Sequence, residues 1–170
     1  MNLKEYYKQI LVNSLMEQVD HRLERAAADV HAAWMSRNQN TDQHHLMVPY
    51  EELPESEKQK DRDHILLAME ATRQMDATGE REGGVSTIHN PQNREMIANI
   101  MASRIHENWR STLPHNERYN PDGTDRERIR GERGDVNQPW HKLNDFAKRD
   151  NLIASRAAVD AYHRHFVMPA

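Results

Sequence analysis

One motif occurs twice in this chain, in the same order, and that duplication restricts the fold more than any other feature. Ala28-Asp-Val-His31-Ala-Ala-Trp34 recurs as Ser103-Arg-Ile-His106-Glu-Asn-Trp109, an offset of 75 positions. Pro49-Tyr50-Glu-Glu-Leu53 recurs as Pro139-Trp140-His-Lys-Leu143, an offset of 90, and Lys58, Asp61 and Ala68 to Ala71 recur at the same offset as Lys148, Asn151 and Ala158 to Ala161. The 15 extra residues of the second copy fall in a Gly- and Pro-rich stretch, where lengthening a loop costs little. Each copy reads as helix, loop, helix. A unit this small cannot bury both helix faces alone, whereas two units packed face to face can. The expected fold is therefore mainly α: two helix–loop–helix repeats with pseudo-two-fold symmetry, and room for short strands in the loops.

Apolar spacing places the helices. Tyr7, Leu11, Leu15, Val19, Leu23, Ala26, Val30 and Trp34 recur every three or four positions with no Pro or Gly between them, which is one face of a helix over about 3–37. A second helix is expected from Pro54 to Met75, with Pro in its first turn. A third runs from Pro91 to Thr112, with Ile97, Met101, Ile105 and Trp109 on one face. A fourth runs from Asn144 to Phe166. Residues 76–90 contain Gly79, Gly83 and Gly84 and read as a linker. Residues 113–138 read as a long surface excursion. The organisation that results is an N-terminal helical extension over 1–25, a first repeat over 26–75, the linker over 76–90 and a second repeat over 91–166.

Composition excludes several function classes. The net charge is −4 with histidines neutral, which does not suit a protein that grips nucleic acid through a basic face. The chain has no cysteine, so disulfides and thiolate metal sites are ruled out, in keeping with a cytoplasmic protein. No apolar run reaches the length of a bilayer span, and charges interrupt the apolar start of the chain, so it does not read as a secretory signal. His44-His45 and His163-Arg-His165 lack the helical spacing with Glu that a metalloprotease site needs, so no metal is expected. There is no Gly-x-Ser-x-Gly elbow and no Gly-rich phosphate loop. A non-enzyme without a cofactor is the expectation. The alternating charges from Asp125 to Asp135 read as a solvated loop.

The first copy carries VHAAW followed by VPYEELPESEKQKDR, and the second carries IHENW followed by PWHKLNDFAKRDN. These strings resemble the ryanodine-receptor repeat family, whose hallmark is H-x-x-W, a later P-Y-x-x-L and an E-K-x-x-[DN]-R ending. The likeness covers roughly Ala26 to Ala161 and is closer in the first copy. The family's Gly-Trp-x-Tyr-Gly segment is missing from the first copy, is only faintly echoed by Glu117-Arg118-Tyr119-Asn120-Pro121 in the second, and Leu152 replaces the closing Arg. The resemblance implies a tandem helical module of the kind found in bacteria and phages, and one such tandem in the large calcium channels is associated with adenine nucleotides.

His31 and His106 precede Trp by three residues in both copies, so they share a face with it; a buried imidazole bonded to a loop carbonyl is the expectation. Trp34, Tyr50, Trp109 and Trp140 all sit on the repeat and could stack on a base. Tyr50 and Trp140 are favoured because they lie at loop–helix junctions. Arg37, Lys58, Arg62, Arg110, Arg118 and Lys148 recur near the motif and could hold phosphate, and Tyr119 joins them through the faint family echo. The expected function is a binding module for a nucleotide-like small molecule, an adenine nucleotide or a signalling molecule derived from one. The alternative expectation is a protein–protein scaffold, or a homo-oligomer, built on the N-terminal helix, whose apolar face extends beyond the repeat and must be covered by something.

Overall fold

The computed structural model describes residues 2–78 and 86–168, apart from the side chain of Val19. Among the described residues five α-helices carry the fold: α1 Leu3–Arg37, α2 Glu55–Thr78, α3 Pro91–Thr112, the single turn α4 His115–Arg118, and α5 Asp145–Tyr162. The linker residues 79–85 lie outside the described part.

The helix ends follow from local chemistry. The Asn2 side chain accepts the Glu5 amide at the start of α1, Asn90 accepts Gln92 at the start of α3, and Asn144 accepts Ala147 at the start of α5. An Asx side chain satisfies one of the first amides that a helix leaves without a partner. Pro54 and Pro91 stand at the entrances of α2 and α3, where the missing amide costs nothing. The helices are thus where apolar spacing puts them, although α2 runs three residues past Met75. The last turn beyond α5, His163–Val167, is wound more widely as a π-helix.

The core is lean and built largely on alanine. Ala26 and Val30 of α1 meet Ile65, Ala68 and Ala71 of α2, Ile97, Ala98, Met101 and Ile105 of α3, and Ala158, Val159 and Ala161 of α5. Ile88, from the turn before α3, plugs one end. Small side chains at these crossings let the backbones approach closely, so modest apolar volume still fills the space. The helix pairs in contact are α1 with α2, α3 with α5, α1 with α5, α2 with α3 and α2 with α5. A second, smaller cluster of Ala27, Leu46, Tyr50 and Leu53 seals the first loop against α1.

Two expectations about exposure resolve differently. The stretch 113–138 lies at the surface but is tied down. Isolated bridges pair Tyr119 with Asp125 and Ile129 with Asp135, and these are the only strand-like pairings among the described residues. Asn137, almost wholly buried, donates through Nδ2 to the carbonyls of Arg118 and Arg126, both at 2.8 Å. Gly134 holds φ +64°, and a β-carbon there would stand 3.2 Å from the Asn144 side chain, so both backbone and space select glycine. The beginning of α1, by contrast, packs on nothing. Tyr7, Leu11 and Leu15, expected on a buried face, are exposed, and the extension over 1–25 continues into the first repeat as one unbroken helix.

Truncating Ile65, which is fully buried, to Ala is expected to cost about 3 kcal/mol of unfolding free energy. Leu11→Ala is expected to stay within about 0.5 kcal/mol. Urea titration followed by circular dichroism distinguishes the two.

Candidate functional site

The repeated histidine does the same thing in both copies. His31 donates from Nε2 to the Val48 carbonyl at 2.8 Å, and His106 donates from Nε2 to the Gln138 carbonyl at 2.7 Å. A carbonyl can only accept, so Nε2 carries the proton in each ring. Each acceptor is followed by a proline turn of near-identical shape: Pro49 at φ −53°, ψ 149° and Pro139 at −52°, 148°. Leu53 and Leu143 close the turns by donating to Tyr50 and Trp140, at 3.1 and 3.2 Å. The histidine therefore fastens the loop to the helix that carries the tryptophan. His31 stacks beside Trp34 with ring centres 5.8 Å apart, and His106 lies 5.9 Å from Trp109. Burial pushes the His106 imidazole below its ordinary pKa, as expected for a desolvated ring.

Trp34 from the first copy and Trp109 from the second line one cleft of about 250 Å³. Its apolar walls are completed by Leu46, Leu53 and Ile105, and its polar lining comes mainly from the first turns of α2: Glu57, Lys60, Asp61, Asp63 and His64. Arg128 lies over the Trp109 ring at 5.8 Å, which steadies that ring by a cation–π contact.

The electrostatics of this lining are unusual. Burial, reinforced by the neighbouring Glu57 carboxylate, pushes the Asp61 carboxyl up to about 7. Its Oδ2 stands 3.7 Å from Nδ1 of His31, the ring nitrogen not engaged by Val48. Burial also pushes His64 down to about 4, and its Nδ1 finds no hydrogen-bond partner among the described residues. Lys60 is a cation of the lining, but it is bonded to Glu57 at 2.7 Å. At neutral pH the cleft thus offers carboxyl oxygens, a proton shared between carboxyl states and a neutral imidazole, between two indoles. Such a lining suits a planar ring that is uncharged or cationic, and repels phosphate.

Of the eleven candidate ligand-binding residues, Trp34 and Trp109 line this cleft, as does His31, and the other nine candidates do not. Tyr50 is buried, and its hydroxyl donates to Glu24 at 3.0 Å; burial and that bond raise its pKa. Lys58 lies over the Tyr50 ring at 5.6 Å. Arg62 is held by Glu24 and Glu55. Arg110 is buried and paired with Glu107 and Asp125. Arg118 lies over Tyr119 at 5.0 Å, away from the cleft in the folded excursion. Trp140 is half-buried near His106, and its amide donates to Glu107. Lys148 is half-buried on α5. Arg37, at the end of α1, is desolvated enough to lower its pKa, and its Nε is buried with no partner among the described residues. At the first junction the proline turn packs Tyr50 back on α1, while Trp140 at the second is half-buried. Trp34 and Trp109, near the C-terminal ends of α1 and α3, are half-buried and line the cleft.

The polar lining was not singled out, yet the repeat carries a signal for it. At the offset of 90, Glu57, Asp61 and His64 stand opposite Ala147, Asn151 and Ala154. Ionisable residues in one copy face small or neutral ones in the other. Asn137 left no such trace. Among the described residues, no group of three or more potential metal ligands forms, and no helix is long and apolar enough to cross a membrane.

Two outcomes are expected. Asp61 has an ordinary pKa of 3.8 and a folded value of about 7, so the native state binds the extra proton between these values. Stability should fall as pH rises from about 4 to 7 and stay lower above. Asp61→Asn should flatten that slope and raise stability at pH 8 by roughly 1 to 3 kcal/mol, as read from urea midpoints across pH. Asn137→Ala, which leaves the Arg118 and Arg126 carbonyls without their donor, should cost about 2 kcal/mol and speed proteolysis within 113–138.

No family model, curated protein or solved structure matches the chain.

Proposed function

We propose that this protein is a non-enzymatic binding module for an adenine-type nucleoside or nucleotide, held by its base between Trp34 and Trp109. The observation that carries the reading is that the same repeat position, one Trp from each copy, supplies both aromatic residues of a single cleft. Aromatic faces stack on bases at about 1–3 kcal/mol each. A base of this kind has an exocyclic amine that can donate to a carboxylate such as Glu57, and a ring nitrogen that can accept from the protonated Asp61. The acidic lining places the base innermost and sends any phosphate outward, away from Glu57, Asp61 and Asp63.

The likeness of the two motif blocks to ryanodine-receptor repeats supports the same reading, and the chain is proposed to be a tandem of that type. Its halves are proposed to be related by a pseudo-two-fold axis. Exchanging α1 with α3 and α2 with α5 carries the list of packed helix pairs onto itself, and the paired histidine bonds and proline turns agree with that exchange.

Calorimetry with adenine, adenosine, AMP, ATP, ADP-ribose and a cyclic dinucleotide tests the proposal. Adenosine is expected to bind at least as tightly as ATP. Trp34→Ala and Trp109→Ala should each weaken binding by about tenfold or more. A ligand present at 100 times its dissociation constant should add about 2.7 kcal/mol of stability in a thermal shift. If none of these molecules binds, or if binding survives both substitutions, the proposal fails.

A further inference from the structure

His163 and His165 are two positions apart, but the fold sends them to different partners. His165 turns to α1, where its Nε2 stands 2.7 Å from the Asp29 carboxylate. His163, the first residue of the π-turn, meets His89, which lies 74 positions earlier in the turn before α3. Nε2 of His163 stands 3.3 Å from Nδ1 of His89. The ring centres are 5.3 Å apart and the planes cross at 78°, so the rings meet nitrogen to nitrogen rather than face to face. That spacing is the one a tetrahedral ion imposes. Two imidazole nitrogens, each about 2.0–2.1 Å from one zinc ion, stand about 3.3 Å from each other. Without an ion, one ring must donate and the other accept, and a single bond of this kind near the surface adds little net stability. An ion has only that bond to displace.

The surroundings keep the pair available. His89 is exposed and His163 half-buried, so an ion can enter from the His89 side. Burial, with the Arg94 cation and the neighbouring ring, holds the His163 imidazole below its ordinary pKa, and only a neutral imidazole ligates. Two charged side chains stand beside the rings. Arg94 donates to the Ile88 and His89 carbonyls, which commits its guanidinium to the backbone of the turn. Asp160 is exposed and reaches Arg94 only at 3.9 Å. It precedes His163 by three positions, which places it on the same side of the helix. Its carboxylate offsets the Arg94 charge and can supply an oxygen ligand by a change of rotamer, with water completing the coordination. Two imidazoles and at most one carboxylate suit Zn2+ or Cu2+, whereas Mg2+ and Ca2+ need an all-oxygen shell. We propose that His89 and His163 form a binding site for a divalent transition-metal ion of the zinc and copper class, which ties the turn before α3 to the turn after α5. None of these residues lines the cleft, so the site stands whether or not a nucleoside binds there.

Calorimetry of the full chain, freed of metal by dialysis against a chelator, tests the proposal with ZnCl2, CuCl2 and MgCl2. One equivalent of Zn2+ should bind, Cu2+ should bind more tightly, and Mg2+ should not bind. His89→Gln and His163→Gln, each checked for folding by circular dichroism, should raise the zinc dissociation constant about tenfold or more. Nitrogen-15 spectra of the histidine rings give a readout on the unaltered protein. Zn2+ should shift Nδ1 of His89 and Nε2 of His163, and leave His31 and His106, whose Nε2 atoms are bonded to carbonyls, in place. Zinc that binds no more tightly than magnesium overturns the proposal. So does zinc binding that survives both substitutions, or that shifts other histidine rings instead, since the ion then sits elsewhere.

Discussion

The bond from a buried imidazole to the carbonyl in front of a proline turn is the contact on which the rest depends. His31 makes it to Val48 and His106 makes it to Gln138. Proline biases the residue before it to extended backbone, so that carbonyl projects sideways, away from any helix, and needs a donor. The imidazole supplies one, and in doing so joins each loop to the helix that precedes it. It also requires that Nε2 bears a hydrogen, and it turns Nδ1 of His31 towards Asp61. The chemistry of the cleft is in this sense a by-product of how the loop is fastened.

The core explains why there is a cleft at all. Alanine dominates the helix crossings, and close approach at those points fills the centre of the bundle. Indole rings are too large for such crossings. Trp34 and Trp109 sit near the ends of α1 and α3, beyond the alanine contacts, and line the groove. Leu46 and Leu53 close one side of it because the proline turn holds them there. The same geometry packs Tyr50 down against α1, so the aromatic residue of the turn becomes part of the small second cluster.

The two copies have parted where it matters chemically. The second copy keeps the fastening histidine, the turn and the tryptophan but has Ala147, Asn151 and Ala154 where the first has Glu57, Asp61 and His64. Asn151 spends its amide on the Ala147 carbonyl, inside its own helix. Asp61 has no comparable outlet, and burial beside Glu57 raises its pKa to about 7. At these positions the second copy holds small or neutral side chains, while the first holds desolvated, titratable groups of the kind found at binding sites in general.

Helix positions, the duplication and the role of the repeated histidine were legible in the sequence, because each rests on local rules: apolar spacing, Asn and Pro at helix starts, and a donor matched to an orphan carbonyl. Which aromatic rings face solvent was a matter for tertiary structure alone. Tyr50 and Trp140 stand at equivalent turn positions and were the favoured stacking candidates, yet Tyr50 is buried and Trp140 lies outside the cleft, which Trp34 and Trp109 line from positions 75 residues apart in sequence. The basic residues near the motif could hold phosphate or pair with the abundant acids, and folding brings Glu24 to Arg62 and Asp125 to Arg110. Partners of that kind are decided by how helices cross. Sequence spacing predicts the face of a helix, and only packing determines what that face meets.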